Sequence, residues 1–275
     1  MNKKDIGTMF VITHKPIKEK WKEQGYHYLA VGKKLSGVEL SDATGDNIAD
    51  KNRYYCELTG LYWVWKNIKE KEVGICHYRR FFCTVVDNQY FPMPIEDLNS
   101  ALKEGDIVLP KKVNVYMDYL TYYEKCLRND ALRQCCRFLI EKDQKYKLII
   151  EQLLKNNCYY CYNMLYASKA TVDQYCRWLF PLLFEFEPLI NMRGWSQQQQ
   201  RVFGYLSEFL LNIWVKANGL RAIEIPVSQA EYFPAALSTN ASIIKLSIIK
   251  KVAYRSLPYF WPILSKFLVS NSLME

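Results

Sequence analysis

The chain has 275 residues, half of them hydrophobic, and its 37 Lys and Arg against 28 Asp and Glu give a formal net charge of +9. A chain of this length buries a substantial core as one large α/β domain or two small ones, and its low Pro and Gly content excludes global disorder. The positive charge favours polyanions, diphosphates or anionic lipid as partners. Nucleic acid is not favoured, because the basic residues are dispersed and no zinc-finger or RNA-binding signature occurs.

The first predicted element is a strand over residues 6–13, which is apolar and rich in β-branched residues and leads into His14 and Lys15. The carboxyl end of such a strand borders the ligand crevice of an open α/β sheet. His14 and Lys15 are therefore candidate contacts for a nucleotide base or phosphate, although a turn with a solvated lysine explains Lys15 equally well. A second strand is predicted over residues 28–32.

Residues 44–82 combine a polar turn, an aromatic helix and a short strand. The helix is predicted to begin between residues 47 and 52 and to end at Asn67, with Arg53 and Glu57 spaced for an ion pair. Gly60 in its middle indicates close packing, since glycine costs a helix about 1 kcal/mol against alanine. The apolar stripe of this helix consists of Tyr55, Leu58, Tyr62 and Trp65.

A buried strand is predicted over residues 73–76, and His77, Tyr78, Arg79 and Arg80 follow it directly. Open α/β sheets present their ligand-binding groups at the carboxyl ends of such strands. Arg79 and Arg80 are therefore candidate anion-binding residues. Because side chains alternate along a strand, the two arginines are expected to point to opposite faces.

Three strings in this region are long and unusual: TGDNI at 44–48, ELTGLYWVWKN at 57–67 and GICHYRRFF at 74–82. Together with FVITHK at 10–15, YCRWLF at 175–180 and RVFGYLSE at 201–208, they resemble a bacterial capsular-polysaccharide-synthesis family, the domain of unknown function 4422. The resemblance implies a GT-A-like glycosyltransferase domain that binds a nucleotide sugar, with galactofuranose transfer in some members. It also makes Asn163 a candidate contact for the acceptor sugar.

The remaining patterns complete an α/β fold in residues 1–235. The resemblance implies that this fold has a GT-A-like, Rossmann-type mixed sheet flanked by helices. Strands are predicted at 106–110, 159–167 and 222–227, and helices at 95–103, 171–189 and 197–216. Residues 116–157 are predicted to form a helical insertion that covers one side of the site. Residues 236–275 are predicted to form a basic amphipathic tail.

Sugar transfer from a nucleotide diphosphate requires charge neutralisation on the leaving group and, in an inverting reaction, a base for the acceptor proton. The sequence contains no Asp-x-Asp metal motif, so we expect no metal cofactor, with Arg79, Arg80 or both holding the diphosphate of a UDP-sugar. The alternative is that one arginine pairs with Glu57 or Asp46. Glu208 is the preferred base, with Glu57, Asp46 and Asp118 as the alternatives.

The other candidate contacts are assigned by position and side-chain chemistry. Candidate donor contacts are His14, Lys15, Asp46, Asn47, Thr59, His77 and Tyr78, and candidate acceptor contacts are Asn163 and Trp63. Core packing explains Trp63 equally well.

The nine cysteines are an odd number, and no secretory signal is evident, so reduced thiols in a cytoplasmic protein are the simplest interpretation. Cys158 and Cys161 form one C-x-x-C pair, but without a second pair at zinc spacing ordinary thiols are favoured over a metal site. Residues 242–268 mix basic and aromatic residues without any acid, which suits an anionic membrane surface but not a membrane span. A helix packed on the domain or a homo-oligomer contact is the alternative.

These patterns predict a peripheral enzyme on the inner face of the cell membrane. It would transfer a sugar, with galactofuranose as one candidate, from a UDP-sugar to a lipid-linked saccharide in capsule, exopolysaccharide or O-antigen synthesis. The alternative function is a non-catalytic adaptor at the membrane surface in a polysaccharide assembly complex.

Overall fold

A computed structural model describes residues 7–16, 25–86 and 89–229 of the chain. Within these residues ten strands form one sheet and two further strands form a small ribbon. The strands in chain order are β1 Thr8–Thr13, β2 Tyr26–Ala30, β3 Leu40–Ser41, β4 Glu72–His77, β5 Arg80–Val86, β6 Gln89–Pro92, β7 Ile107–Pro110, β8 Val113–Asn114, β9 Cys158–Tyr159, β10 Leu165–Ser168, β11 Ala222–Ile225 and β12 Val227–Gln229.

The sheet is mixed, with the order β11-β7-β10-β4-β1-β2-β3. Strand β1 is parallel to both β2 and β4, whereas β10 is antiparallel to β4 and β7. All six residues of β1 and the four central residues of β4 are buried, because helices cover both faces of a sheet of this kind. The predicted α/β class with a central mixed sheet is confirmed.

Nine α-helices lie within the described residues. They are α1 Asn52–Tyr55, α2 Leu58–Asn67, α3 Ile95–Lys103, α4 Tyr119–Leu127, α5 Ala131–Lys142, α6 Tyr146–Lys155, α7 Lys169–Phe186, α8 Gln197–Gln200 and α9 Val202–Ala217. Helices α4 to α6 are the predicted insertion, and both α5 and α6 pack against α9. Helix α9 is buried along most of its length, between the insertion and helices α1 and α7.

The helix predicted from residue 47 to Asn67 is wrong as one continuous element. A 3₁₀ turn, Ala49–Lys51, leads into α1. The helix is then interrupted before α2 at Cys56, which adopts φ 52° and ψ −126°. This break turns the side chain of Glu57 away from Arg53. The predicted ion pair is therefore replaced by a hydrogen bond of 2.7 Å from Arg53 Nε to Gln200 Oε1.

The close packing predicted at Gly60 is confirmed, because a Cβ atom there would lie 2.5 Å from Cδ1 of Ile12. Helix α2 thus lies directly on β1. Its first turn is near the carboxyl end of that strand, and Trp63 packs farther back, on Phe10. The direction of α2 decides which of its flanking loops reach the carboxyl edge of the sheet.

Three other predicted elements are interrupted. The strand predicted over 159–167 consists of β9 and β10, separated by a loop in which Tyr162 and Asn163 have φ values of 78° and 50°. The helix predicted over 197–216 breaks at Arg201. Residues 80–86 and 89–92 form the hairpin β5–β6, for which the sequence analysis predicted no strand.

The predictions for the tail, and the domain boundary at residue 235, lie outside the described residues. Within the described part of the chain, no helix is both long and apolar enough to pass through a bilayer. All nine cysteines lie in that part and are free thiols.

Candidate active site

The carboxyl end of β4 brings a group of charged and aromatic side chains together. His77 is the last residue of β4, Tyr78 and Arg79 form the turn that follows, and Arg80 begins β5 opposite His77. Arg79 is exposed, with its guanidinium 5.2 Å from the centre of the Tyr78 ring. The two arginines have different surroundings because Arg79 lies in the turn and Arg80 in β5, so the alternation of side chains along one strand does not apply to them.

Arg80 is partly buried, and its guanidinium lies 4.6 Å from the centre of the Tyr162 ring. Its Nε atom is buried and has no hydrogen-bond partner among the described residues. No ion pair joins Arg80 to Glu57 or to Asp46. A buried guanidinium nitrogen without an acceptor is costly in a folded protein, so this side chain is set to receive an anion.

The peptide groups of Tyr162 are fixed from two sides. His77 Nε2 lies 2.5 Å from the carbonyl oxygen of Tyr162, and Glu208 accepts a hydrogen bond from the Tyr162 N–H. Burial lowers the pKa of His77, and Arg80 acts in the same direction against the opposing effect of Glu57. His77 is therefore a neutral imidazole, whose Nε2–H donates to the carbonyl in the tautomer that this contact requires.

Glu208 lies partly buried on α9, two turns after Arg201. Burial, and next the nearby charge of Glu57, raise the pKa of Glu208 to about 8, against the opposing effects of the Tyr162 N–H, Arg80 and Arg201. A carboxyl group that titrates near neutral pH exchanges its proton readily in either direction. This behaviour is what a general acid or base requires.

Glu57 follows the interruption at Cys56, directly before α2, and its carboxylate lies near Glu208. Its Oε1 atom accepts a hydrogen bond of 2.6 Å from Asn163 Nδ2, and Asn163 is 3% exposed. The same nitrogen donates to the carbonyl oxygen of Gly204 at 2.8 Å. Asn163 therefore lies beneath the site and holds Glu57, which corrects the prediction that Asn163 contacts the acceptor sugar.

Arg201 is a site residue that the sequence analysis missed. It is exposed at the start of α9, and its Nε donates to Cys56 Sγ at 3.2 Å. Burial lowers the pKa of His14, and the charges of Lys15, Arg79 and Arg201 lower it further. The seven-residue spacing from Arg201 to Glu208 places both on one face of a helix and is the signal that could have found it.

Helix α4 of the insertion supplies tyrosines next to this cluster. Tyr119 packs its ring against Tyr159, with ring centres 4.0 Å apart, and the charge of Glu208 contributes to raising the pKa of both phenols. The hydroxyl of Tyr159 is buried without a hydrogen-bond partner in the described part of the chain. Helix α4 of the insertion thus lies beside the candidate site.

Comparison with known proteins places this arrangement in a family. Residues 8–219 match the family described as Domain of unknown function (DUF4422). The chain belongs to this family. A solved structure described as the WbbM bifunctional glycosyltransferase in its apo form is 27% identical, with a TM-score of 0.69 over 81% of this chain. The match spans 45% of that WbbM chain, and no curated protein matches.

In this DUF4422 chain, the polar turn before the helix lies far from the cluster. Asp46 and Asn67 exchange two hydrogen bonds at the last turn of α2, and Asp46 also accepts from Tyr62 at 3.1 Å. Asn47 lies in the same turn and accepts from Ala49 N–H at 3.2 Å. Since the 10 residues of α2 span about 15 Å, the structure corrects the prediction that Asp46 and Asn47 contact the donor.

Two further predicted contacts are core residues. Thr59 is fully buried and accepts a hydrogen bond of 2.9 Å from Asn52 Nδ2. Trp63 is 7% exposed and donates from Nε1 to the carbonyl oxygen of Thr44 at 2.9 Å. Neither side chain reaches a ligand at the carboxyl edge, so core packing explains both.

The predicted residues that do lie at this edge are His14, Lys15, His77, Tyr78, Arg79, Arg80 and Glu208. His14 packs edge-on against Tyr78 with ring centres 5.3 Å apart, and Lys15 is exposed beside it. Among the described residues, no group of three or more His, Cys, Asp or Glu side chains is arranged to hold a metal ion. The candidate site of this DUF4422 chain thus combines basic side chains at the carboxyl edge of the sheet with two nearby glutamates, Glu57 and Glu208.

Proposed function

We propose that this chain is a glycosyltransferase that takes a sugar from a UDP-sugar donor without a metal ion. The observation that carries the proposal is Arg80, whose buried Nε lacks an acceptor, close to Glu208 with its raised pKa. The similarity to a glycosyltransferase structure supports the same reaction class. Guanidinium groups fit phosphate oxygens and remain charged at every physiological pH.

In the proposed reaction an acceptor hydroxyl attacks the anomeric carbon of the donor sugar. The oxygen forms a bond to that carbon while the bond from the carbon to the diphosphate oxygen breaks. UDP leaves with the bonding electrons, and Arg80 and Arg79 balance its growing negative charge. Glu208 takes the hydroxyl proton, as the general base of an inverting transfer.

We expect UDP to stabilise the protein against heat in the presence of EDTA. A ligand at 100 times its dissociation constant adds about 2.7 kcal/mol, and about 1 kcal/mol moves the melting temperature by 2–4 °C in proteins near this size. Differential scanning fluorimetry with UDP, UDP plus EDTA, and UDP plus Mn²⁺ measures this shift. A shift that needs Mn²⁺ would contradict the metal-independent mechanism, and the absence of stabilisation by any nucleoside diphosphate would favour the adaptor function.

The proposal also concerns the acceptor and the location of the protein. A lipid-linked saccharide in capsule, exopolysaccharide or O-antigen synthesis would bring the acceptor to an anionic membrane surface, where basic segments bind. The basic and aromatic composition of residues 242–268 supports this location.

Deletion of residues 242–275 is expected to release the protein from anionic liposomes, because it removes basic and aromatic side chains that suit the bilayer surface. UDP stabilisation is expected to remain. Liposome co-sedimentation with and without phosphatidylglycerol measures the effect, and the intact chain in neutral liposomes is the control. Equal binding of both chains to anionic vesicles would contradict the membrane role of this segment.

A further inference from the structure

Two neighbouring residues anchor the two glutamates of the site. The N–H of Tyr162 donates to Glu208, and the side chain of Asn163 donates to Glu57 at 2.6 Å. Consecutive Cα atoms are only about 3.8 Å apart, so these anchors bring the two carboxyl groups into one small region. Both anchors have positive φ values, a conformation that is uncommon for residues other than glycine and is retained where the surroundings require it.

The contacts of Asn163 select one orientation of its amide. Its Nδ2 donates to Glu57 and to the carbonyl oxygen of Gly204, and its Oδ1 lies 2.9 Å from Ser207 Oγ. A flipped amide would place its oxygen 2.6 Å from the Glu57 carboxylate, where two acceptors would face each other. Ser207 is fully buried, and its hydroxyl also lies 2.8 Å from the Gly204 carbonyl, so it donates to one of the two oxygens at a time.

We propose that Asn163, oriented by Ser207, is a positioning residue that holds Glu57 beside Glu208, so that the charge of Glu57 influences proton transfer at Glu208. This inference rests on the proposed function, since it concerns the residue that would take the acceptor proton. The amide nitrogen of Asn163 only donates, and its hydrogen bond of 2.6 Å fixes the position of Glu57 Oε1. The charge of Glu57 then opposes ionisation of Glu208.

The charged groups around the pair come from every element that packs on it. Arg80 on β5 and Arg201 at the start of α9 both favour ionisation of Glu208, while Glu57 opposes it. His77 on β4 has a lowered pKa and is neutral, and burial raises the pKa of the Cys56 thiol to about 11. Glu57 is therefore the negative group that controls the proton on Glu208.

A double-mutant cycle tests the pairing without requiring enzyme activity. The full chain and the variants Glu57→Gln, Glu208→Gln and the double variant are melted between pH 5 and pH 9. Glu208→Gln is expected to raise the melting temperature at pH 9 and to change it little at pH 5, where Glu208 is already protonated. In the Glu57→Gln background the gain at pH 9 is expected to be smaller, because the charge of Glu57 is absent while the burial of Glu208 remains. Equal gains in both backgrounds would overturn the proposal.

The positioning role is tested by kinetics on Asn163→Asp and Ser207→Ala. Asn163→Asp places a carboxylate against Glu57, and we expect kcat to fall at least about tenfold while the donor KM and the UDP-induced thermal shift stay unchanged. We also expect the midpoint of the kcat/KM pH profile to rise. Ser207→Ala is expected to give a smaller loss of the same kind. Ser168→Ala is the matched control, because Ser168 is a half-buried serine that pairs with Glu72 at the start of β4, at the opposite edge of the sheet.

Loss of kcat in step with loss of UDP binding, or an unmoved pH profile in both variants, would show a structural role alone and overturn the proposal. If the unmodified chain transfers no sugar from any UDP-sugar tested, the proposed function fails. The melting cycle still decides in that case whether Glu57 and Glu208 are coupled.

Discussion

Replacement of Arg80 by alanine is expected to reduce sugar transfer on the order of 100- to 1,000-fold, the loss usual when a preorganised charge at the leaving group is removed. The guanidinium is held against Tyr162, and its buried Nε has no acceptor in the described part of the chain. An incoming diphosphate can therefore accept from Nε without breaking an existing hydrogen bond of that atom. UDP release, assayed with a panel of UDP-sugars, measures the loss. The thermal shift with UDP is expected to disappear in the same variant.

Lysine at position 80 is expected to recover only part of the rate, because an ammonium group keeps the charge but lacks the planar fork of donors. Arg133→Ala is the matched control, since Arg133 is an exposed arginine that pairs with Glu124 on the insertion, away from the cluster. An Arg80→Ala variant that retains its UDP-induced thermal shift would remove the basis of the metal-independent mechanism.

Glu208→Gln is expected to lower kcat on the order of 100- to 10,000-fold, the range that a positioned general base contributes. The glutamine keeps the shape and can still accept from the Tyr162 N–H, so UDP binding should persist. In the unmodified enzyme kcat/KM is expected to rise with pH through about 8, the pKa of this carboxyl group. Glu141→Gln, an exposed glutamate on α5, is the control, and a rate that is flat between pH 6 and 9 would exclude Glu208 as the base.

The raised pKa of Glu208 also makes a prediction about stability. Between its ordinary value of 4.5 and about 8 the folded state binds more protons than the unfolded state. The free energy of unfolding therefore falls as the pH rises through this range, because ionised Glu208 is disfavoured in the fold. Glu208→Gln removes that penalty, so the thermal stability it gains is present at pH 9 and absent below pH 4.5.

The sheet was predictable from the sequence where its strands are buried on both faces. Strands β1, β4 and β7 read as continuous apolar runs, because helices cover the sheet on both sides. The hairpin β5–β6 was missed, although residues 81–86 are mostly apolar or β-branched, because β6 is short and contains a proline. Helical periodicity located α2 but carried the helix back through Cys56, whose backbone geometry has no signal in that pattern.

The site was predictable only where residues cluster along the chain. His77 to Arg80 stand together at the end of a strand, and Glu208 lies in a string shared with the family, so both were found. The contact between Asn163 and Glu57 depends on the interruption at Cys56 and on positive φ values, which periodicity does not encode. Arg201 was missed although its seven-residue spacing from Glu208 places both on one helix face. Asp46 and Asn47 were misplaced because their turn contacts the far end of α2.

Strand β12 pairs antiparallel with the part of β5 that carries Arg80, with Gln229 opposite Arg80 itself. The partner of that strand is therefore almost 150 residues later in the sequence. Until residues 227–229 have emerged from the ribosome, the newly made chain exposes an unpaired strand edge at this position, and open edges of this kind recruit other chains. Protection of the newly made protein from aggregation thus depends on a segment that emerges long after β5.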